Sequence, residues 1–387
     1  MKLFGREINP GSLARLLKNP FSKEPPIGID ITNEFILAVE IAPMKNQPDQ
    51  LELLRMAHVR TPENAVRDGE IVDPSRVAAQ IKSLLSEHGF KSRKVITAVS
   101  GQAAIIRPRI KFPAIPRKEL KEVVLHDAER YIPFPIQDVY IDFEVTGTVE
   151  EEGMSKYDVL LVTAQKQLID TYLETFAQAE LELVAVDVAS FAVMRALSPV
   201  VEEEAEVNDD QLNVLILIRG ETTDLNVIQN GAPLFSRSIP LGSSTFIETI
   251  ASNMGLEFEE AVSIFERLEI PVIGDETFED PMVERAAEEV RFLLKDLTNE
   301  IQKSIEYFHQ SQQDYTRIQQ LVLSDRGAKI KRLDQYFSHQ LGIDVEIADP
   351  IKHLYFDPDV FSQAELRAQA TLFATAIGLA RRGIAGN

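Results

Sequence analysis

Apolar and polar positions alternate in short runs near the start of the chain, and the same kind of run returns past its middle. Over 35–41, Phe35, Leu37, Val39 and Ile41 alternate with Ala38 and Glu40, the period-two pattern of a half-buried strand. Residues 27–31 before it and 51–60 after it also read as strands, with Asp30-Ile31-Thr32-Asn33-Glu34 as a hairpin turn. The period then lengthens. Asp73 as N-cap and Pro74 in the first turn open a helix with Val77, Ile81, Leu84 and Leu85 on one face, and 94–100 is again a strand. The second half repeats this opening. It reads strand 212–218, turn Gly220-Glu221-Thr222-Thr223, strand 225–229, the two-residue hairpin signal Asn230-Gly231, strand 233–239, and a helix from about Ser243. An order of elements that occurs twice predicts a duplicated lobe.

Between the repeats, the pattern predicts a small α+β block over 109–183: strand, helix 116–130, strand 139–149, strand 157–163, helix 166–179, strand. The second lobe carries helices over 258–267 and 280–312, where Val290, Leu293, Leu294, Leu297, Ile301, Ile305 and Phe308 keep a helical period. A strand at 321–323, a helix over 328–341, a strand at 345–347 and a terminal helix over 361–382 follow. The expected organisation is a tail 1–26, a first lobe 27–108 completed by 184–198 and 350–387, the inserted block 109–183, a linker 199–211, and a second lobe 212–349 with a helical subdomain at about 251–318. The fold class is α/β.

Composition narrows the chemistry. The 387 residues carry 40 basic and 61 acidic side chains, a net charge of −21, with no cysteine and no tryptophan. Thiolate metal sites, disulfides and cysteine nucleophiles are therefore excluded, and the acidic excess argues against binding nucleic acid. Apolar runs as short as 215–218 and 159–162 fall far below the ~20 residues of a membrane span. The charge is uneven. Lys2, Arg6, Arg15, Lys18 and Lys23 make the tail basic, and a turn or two of helix over 12–18 would put Leu13, Leu16 and Leu17 on one side. That suits either a membrane-surface foot or a tail folded onto the body. The stretch 199–211 is acid-rich with almost nothing to bury, as a solvated linker is. The six histidines, at 58, 88, 126, 309, 339 and 353, have no metal-ligand spacing.

Two hairpin turns bearing threonines suit a nucleoside triphosphate, since turn amides and hydroxyls donate to phosphate oxygens and a nearby carboxylate holds hydrated magnesium. Asp30, Thr32 and Asn33 fit the first turn, and Thr222 and Thr223 the second. The competing reading is that such residues are simply good turn formers.

More specific is the inserted block. Phe112-Pro113, Glu119-Leu120, Ala128-Glu129-Arg130, Tyr131-Ile132-Pro133-Phe134-Pro135 and Asp142-Phe143 follow one another there. With Gly28-Ile29-Asp30, Val186-Asp187-Val188, Ile239-Pro240-Leu241-Gly242, Glu259-Glu260-Ala261 and Ala376-Ile377-Gly378-Leu379-Ala380, they resemble the signature of the PilM family, actin-like cytoplasmic proteins of type IV pilus assembly. The resemblance spans about 27–380. It implies an actin-like two-lobed fold around a nucleotide cleft, with the insert in the first lobe. Carried over, Gly28, Asp30, Thr32, Asn33, Asp187, Gly220, Thr222, Thr223, Gly242 and Gly327 are the candidate nucleotide-binding residues. It also implies binding of the N-terminal cytoplasmic peptide of a PilN-like inner-membrane protein, in a groove between the first lobe and the insert that Tyr131 and Phe134 help to shape. PilO and the pilus motor ATPase are then indirect partners. The protein would sit in the cytoplasm, held peripherally at the inner membrane through its partners, and a homo-oligomer is left open.

Four positions depart from the family pattern. Aligned on Gly220, Ile218 replaces an aspartate; Phe265 stands where a lysine faces the nucleoside; and Asp325 and Arg326 interrupt a glycine-rich adenosine turn of which Gly327 remains. The resulting expectation is a non-catalytic adaptor with a degenerate cleft in which ATP and magnesium are doubtful ligands, Arg219 or Arg326 supplying fixed positive charge beside Asp30. The alternatives are an ATP-binding switch of the same family and, more remotely, an FtsA-like division protein.

Overall fold

The computed structural model describes residues 25–101, 103–151, 153–198, 211–272, 278–312 and 316–385. Apart from residues 25, 26 and 211, the basic tail and the acidic linker lie outside the described residues. By its internal contacts the chain divides into two units, one running to Arg195 and resuming at Ala376, the other Ala196–Thr375.

The first unit begins with β1 (Ile27–Ile31), β2 (Phe35–Met44), β3 (Gln47–Arg60), α1 (Pro74–Glu87) and β4 (Lys94–Val99). The chain continues through β5 (Ala104–Pro113), α2 (Arg117–Asp127), β6 (Val139–Glu151), β7 (Met154–Gln165), α3 (Lys166–Gln178), β8 (Glu182–Val188) and α4 (Ala189–Leu197). The main sheet is six-stranded; five of its strands run β3-β2-β1-β4-β8, and the short strand Leu354–Phe356 lies beside β3. β1 to β3 are antiparallel, whereas β4 lies parallel to both β1 and β8. Ile27, Ile29 and Ile31 of β1 bury one face against Val77, Ile81, Leu84 and Leu85 of α1. That helix starts where the sequence says it should, with the Asp73 carboxylate accepting from the Arg76 amide at 3.1 Å.

The second unit holds β9 (Leu212–Ile218), β10 (Thr223–Gln229), β11 (Ala232–Ile239), α5 (Ser243–Met254), α6 (Phe258–Phe265) and α7 (Pro281–Gln312). Then come β12 (Ile318–Ser324), α8 (Leu333–Leu341), β13 (Asp344–Ile347) and α9 (Gln363–Gln369), and α10 (Ala374–Ala385) returns the chain to the first unit. Its sheet runs β11-β10-β9-β12-β13, antiparallel through β9 to β11 and parallel from β9 to β13. Over five strands the first sheet thus has the same order and the same sequence of senses as the second, which is the duplication foreseen in the sequence. Asn230 and Gly231 turn the β10–β11 hairpin at φ of 51° and 72°, the left-handed pair a two-residue loop requires.

Packing redraws several expected boundaries. The insert is a three-stranded antiparallel sheet, β5-β7-β6, with α2. Its core is made by Ile110, Phe112, Leu120, Val124, Ile141, Val159 and Leu161. Helix α3 does not belong to it, because Ile169, Tyr172 and Phe176 are buried in the first unit's main core. By internal contacts residues 350–375 group with the second unit, where Thr375 accepts from Arg219 at 3.1 Å, although the short strand Leu354–Phe356 is the edge strand of the first lobe's sheet, as the expected organisation has it. The terminal helix is broken by a tighter turn at Ala370–Phe373, and the helix expected from 328 starts at Leu333, after Arg332 at φ 65°. Among the described residues no helix is long and apolar enough to cross a membrane.

Candidate functional site

The two turns expected to hold phosphate have the same backbone geometry. In the first unit the Thr32 amide donates to the Phe35 carbonyl at 2.9 Å; in the second, the Arg219 amide donates to the Thr222 carbonyl at 2.9 Å. The last strand pairs before these turns are Ile31 with Ile36 and Ile218 with Thr223. Asp30 is therefore matched by Leu217, and Thr32 by Arg219. This corrects the sequence alignment, which put Ile218 at the aspartate's place. The Ile218 side chain lies in the hydrophobic core, whereas Leu217 points to the opposite sheet face, as Asp30 does in its own sheet. In either register the side chain is an alkyl group, which cannot hold a metal-bound water.

Within the first unit Asp30 is buried, 1% exposed, at the end of β1. The Thr32 hydroxyl closes its own turn. It donates to the Phe35 carbonyl at 3.0 Å and accepts from the amides of Glu34 at 3.2 Å and Phe35 at 2.9 Å. Asn33 is half-buried at the tip. Gly28 faces α10, where a Cβ would lie 2.1 Å from the Ala376 carbonyl oxygen. Asp187, at the end of β8, accepts from the Val188 amide at 2.8 Å, Arg195 at 3.0 Å and Arg382 at 2.7 Å. It clasps α4 to α10. The neighbouring Arg381 guanidinium is pushed down to about 10 by burial and by the charge of Arg195.

In the second unit, Gly242 lets α5 start directly behind the Gly220 turn, since a Cβ there would sit 2.4 Å from the Gly220 carbonyl oxygen. The first amides of α5 are used at once: Ser243 donates to the Arg219 carbonyl at 2.7 Å and Ser244 to the Gly220 carbonyl at 2.8 Å. The Thr223 hydroxyl donates to the Leu241 carbonyl at 2.7 Å, and Thr222 is buried beside it in the chain. Arg219 donates to Asp325 at 3.2 Å. Asp325, at φ 70°, also accepts from the Arg326 amide at 3.0 Å. Gly327 rests on Ile218, where a Cβ would come within 2.2 Å of its Cγ2. Arg326 lies 5.3 Å above the Phe265 ring and reaches Glu266 at 3.1 Å, which Lys329 meets at 2.9 Å. Burial opposes ionisation of Glu266, but the Lys329 hydrogen bond and the two cations outweigh it and hold the carboxyl below its ordinary value. Glu266 and Lys329 escaped the sequence reading, and no local spacing announces a contact between residues so far apart in sequence.

The insert and the main core of the first unit enclose a cavity of about 380 Å³. Phe134 and Pro133 from the insert, Ile105 from β5 and Leu168 from α3 give it apolar walls, and Asp68, Glu70 and Thr163 add polar ones. Phe134 thus forms part of the cavity's apolar wall. Tyr131 does not line this cavity; its ring meets Phe112 edge-on at 6.4 Å, and its carbonyl accepts from Arg107 at 3.1 Å. Asp68 and Gly69, at φ 52° and 75°, form a tight hairpin turn pinned by the Tyr172 hydroxyl, which donates to the Gly69 carbonyl at 2.9 Å. That turn went unnoticed in the sequence, although Asp-Gly between Val66-Arg67 and Glu70-Ile71 is a hairpin signal.

Comparison with known proteins agrees with this architecture. A chain of a solved "PilM-PilN type IV pilus biogenesis complex" is 28% identical with a TM-score of 0.80, over 93% of this chain and 98% of that one. The ethanolamine utilization protein EutJ from Carboxydothermus hydrogenoformans shares the actin-like fold at 17% identity and a TM-score of 0.53, over 94% and 91% of the two chains. The cell division protein FtsA of Bacillus subtilis (strain 168) is 25% identical over 261 residues, 61% of this chain; the match spans little more than half of FtsA, 56%. The family model of the type IV pilus assembly protein PilM matches residues 28–384. The chain belongs to the PilM family of type IV pilus assembly proteins.

Proposed function

We propose that this protein is a binding scaffold of type IV pilus assembly. It takes the N-terminal cytoplasmic peptide of a PilN-like inner-membrane protein into the cavity between insert and main core, and works without turning over nucleotide. The observation that carries this reading is the cavity itself, walled by Phe134 of the insert and Leu168 of α3, in a family one of whose members is solved as a PilM–PilN complex. PilO and the pilus motor are reached through that partner, which also holds the protein peripherally at the inner membrane.

The second unit supports the nucleotide-independent half of the reading. A magnesium-bound nucleotide fits its side chains poorly. Leu217 holds the position in the second unit that is equivalent to that of Asp30 in the first, Arg219 pairs with Asp325, and Arg326 with Phe265 and Glu266 stands beside the Gly327 turn. Asp30, Thr222 and Thr223 are the features that favour the ATP-switch alternative.

Calorimetry decides both halves. A synthetic peptide of the host's PilN-like N-terminus binds the wild-type chain and loses about tenfold or more in affinity on Phe134→Ala. ATP with magnesium gives no heat at micromolar protein. Failure of the peptide to bind overturns the scaffold reading, and micromolar, magnesium-dependent ATP binding overturns the degenerate site.

A further inference from the structure

We infer that the cavity selects a basic peptide, its apolar walls taking an aliphatic side chain while Asp68 and Glu70 hold a lysine or arginine beside it and Thr163 hydrogen-bonds the peptide. This rests on the peptide-binding reading above and adds the chemistry by which one peptide is preferred to another.

Three observations support it independently. The first is charge. Asp68 is exposed and Glu70 half-buried on one edge of the cavity, and neither forms an ion pair among the described residues. Glu70 meets only the Gln167 amide, at a long 3.5 Å. No lysine or arginine lines the cavity, so its field is negative and complements a cation. The second is preorganisation. The Asp68-Gly69 turn is fixed by its left-handed backbone and by Tyr172, so the backbone that carries the carboxylates needs no ordering at binding.

The third is Thr163. It is fully buried, it stands in the cavity wall, and its hydroxyl has no hydrogen-bond partner. A buried hydroxyl left unsatisfied is costly, so a ligand group that bonds to it is favoured. Its strand neighbours are Ile105 and Ile141, whose side chains offer it nothing. A peptide amide seated against this wall supplies the missing bond. The polar wall therefore reads position along the peptide, the acidic edge reads charge, and Phe134 and Leu168 read an aliphatic residue between them.

The test uses the full-length protein and fluorescence anisotropy with two labelled peptides. One is the N-terminal segment of the host's PilN-like protein; the other has its lysines and arginines replaced by glutamine. The wild type prefers the native peptide by about tenfold, and the preference shrinks as salt is raised. Asp68→Asn with Glu70→Gln abolishes the preference and leaves the Gln peptide's affinity unchanged. Thr163→Val weakens both peptides several-fold at unchanged preference, and its melting temperature, measured alongside, shows that the fold is kept. Charge selection is overturned if the peptide has no basic residue, or if the double variant discriminates as the wild type does while Phe134→Ala still abolishes binding. If Phe134→Ala leaves binding intact, the docking site itself is elsewhere and both readings fall.

Discussion

Arg219 and Asp325 face each other at 3.2 Å, with side chains 8% and 5% exposed. A pair so far from water makes little net contribution, yet removing one partner strands the other. Arg219→Met is therefore expected to cost about 3–5 kcal/mol in urea unfolding. Adding Asp325→Asn recovers most of the loss, because asparagine is neutral and tolerates the φ of 70°. Recovery of less than half would mean that the pair has a further role in the fold. Glu266 makes a milder case. Its carboxyl is held below the ordinary value by Lys329 and Arg326, so the folded state binds this proton less readily than the unfolded chain. Its stabilising contribution is present above the ordinary carboxylate pKa and is lost as pH falls through the lowered one. Glu266→Gln should accordingly lower stability at neutral pH, with the two proteins converging at acid pH in parallel thermal melts. The half-open position of Glu266 keeps the effect small.

Elements meet most closely where glycines remove the Cβ. At Gly378 of α10, a Cβ would lie 1.7 Å from the Ala192 carbonyl oxygen of α4, against backbone that cannot rotate away. Gly378→Ala should cost roughly 3 kcal/mol in chemical denaturation. Gly342→Ala, at φ 65° with open space around it, should cost only about 1 kcal/mol, from backbone strain alone. Equal losses at the two sites would show that α4 and α10 can slide apart. The same scale explains what was legible in the sequence. Alternation over 35–41 and the capped stripe after Asp73 marked β2 and α1, and two matching runs of elements announced the duplicated sheets. The partner of a stripe is another matter. Ile169, Tyr172 and Phe176 declare an apolar face on α3, but nothing local says that it packs on the main core rather than on the insert. The slip from Leu217 to Ile218 has a related cause. Leu215-Ile216-Leu217-Ile218 is apolar at every position, so it carries no parity, and only the strand register tells which side chain faces which way. Of the cavity's walls, Phe134 stands in a motif the sequence displays; the acidic edge at Asp68 and Glu70 could not be placed, because its hairpin is held there by Gln167 and Tyr172 of α3, 97 and 103 residues away in the chain.

The net charge of −21 acts on the whole molecule and the cavity edge acts at a point, and binding kinetics separate them. A cationic peptide approaching from beyond a Debye length feels the summed field, which sets how often it arrives. Once seated, it is held by the groups it touches, which set how long it stays. Neutralising Asp68 and Glu70 changes the total only from −21 to −21 + 2 = −19. The double variant should therefore associate within about twofold of the wild-type rate at low salt, while its dissociation quickens about tenfold. Raising salt from about 0.02 to about 0.5 M should slow association by a similar factor in both proteins, because that term belongs to the remaining charge. Stopped-flow anisotropy with the basic peptide measures both rates. A variant that arrives more slowly but leaves no faster would place the recognition of charge in the long-range field, and the cavity would then choose its peptide by shape and by the Thr163 hydrogen bond alone.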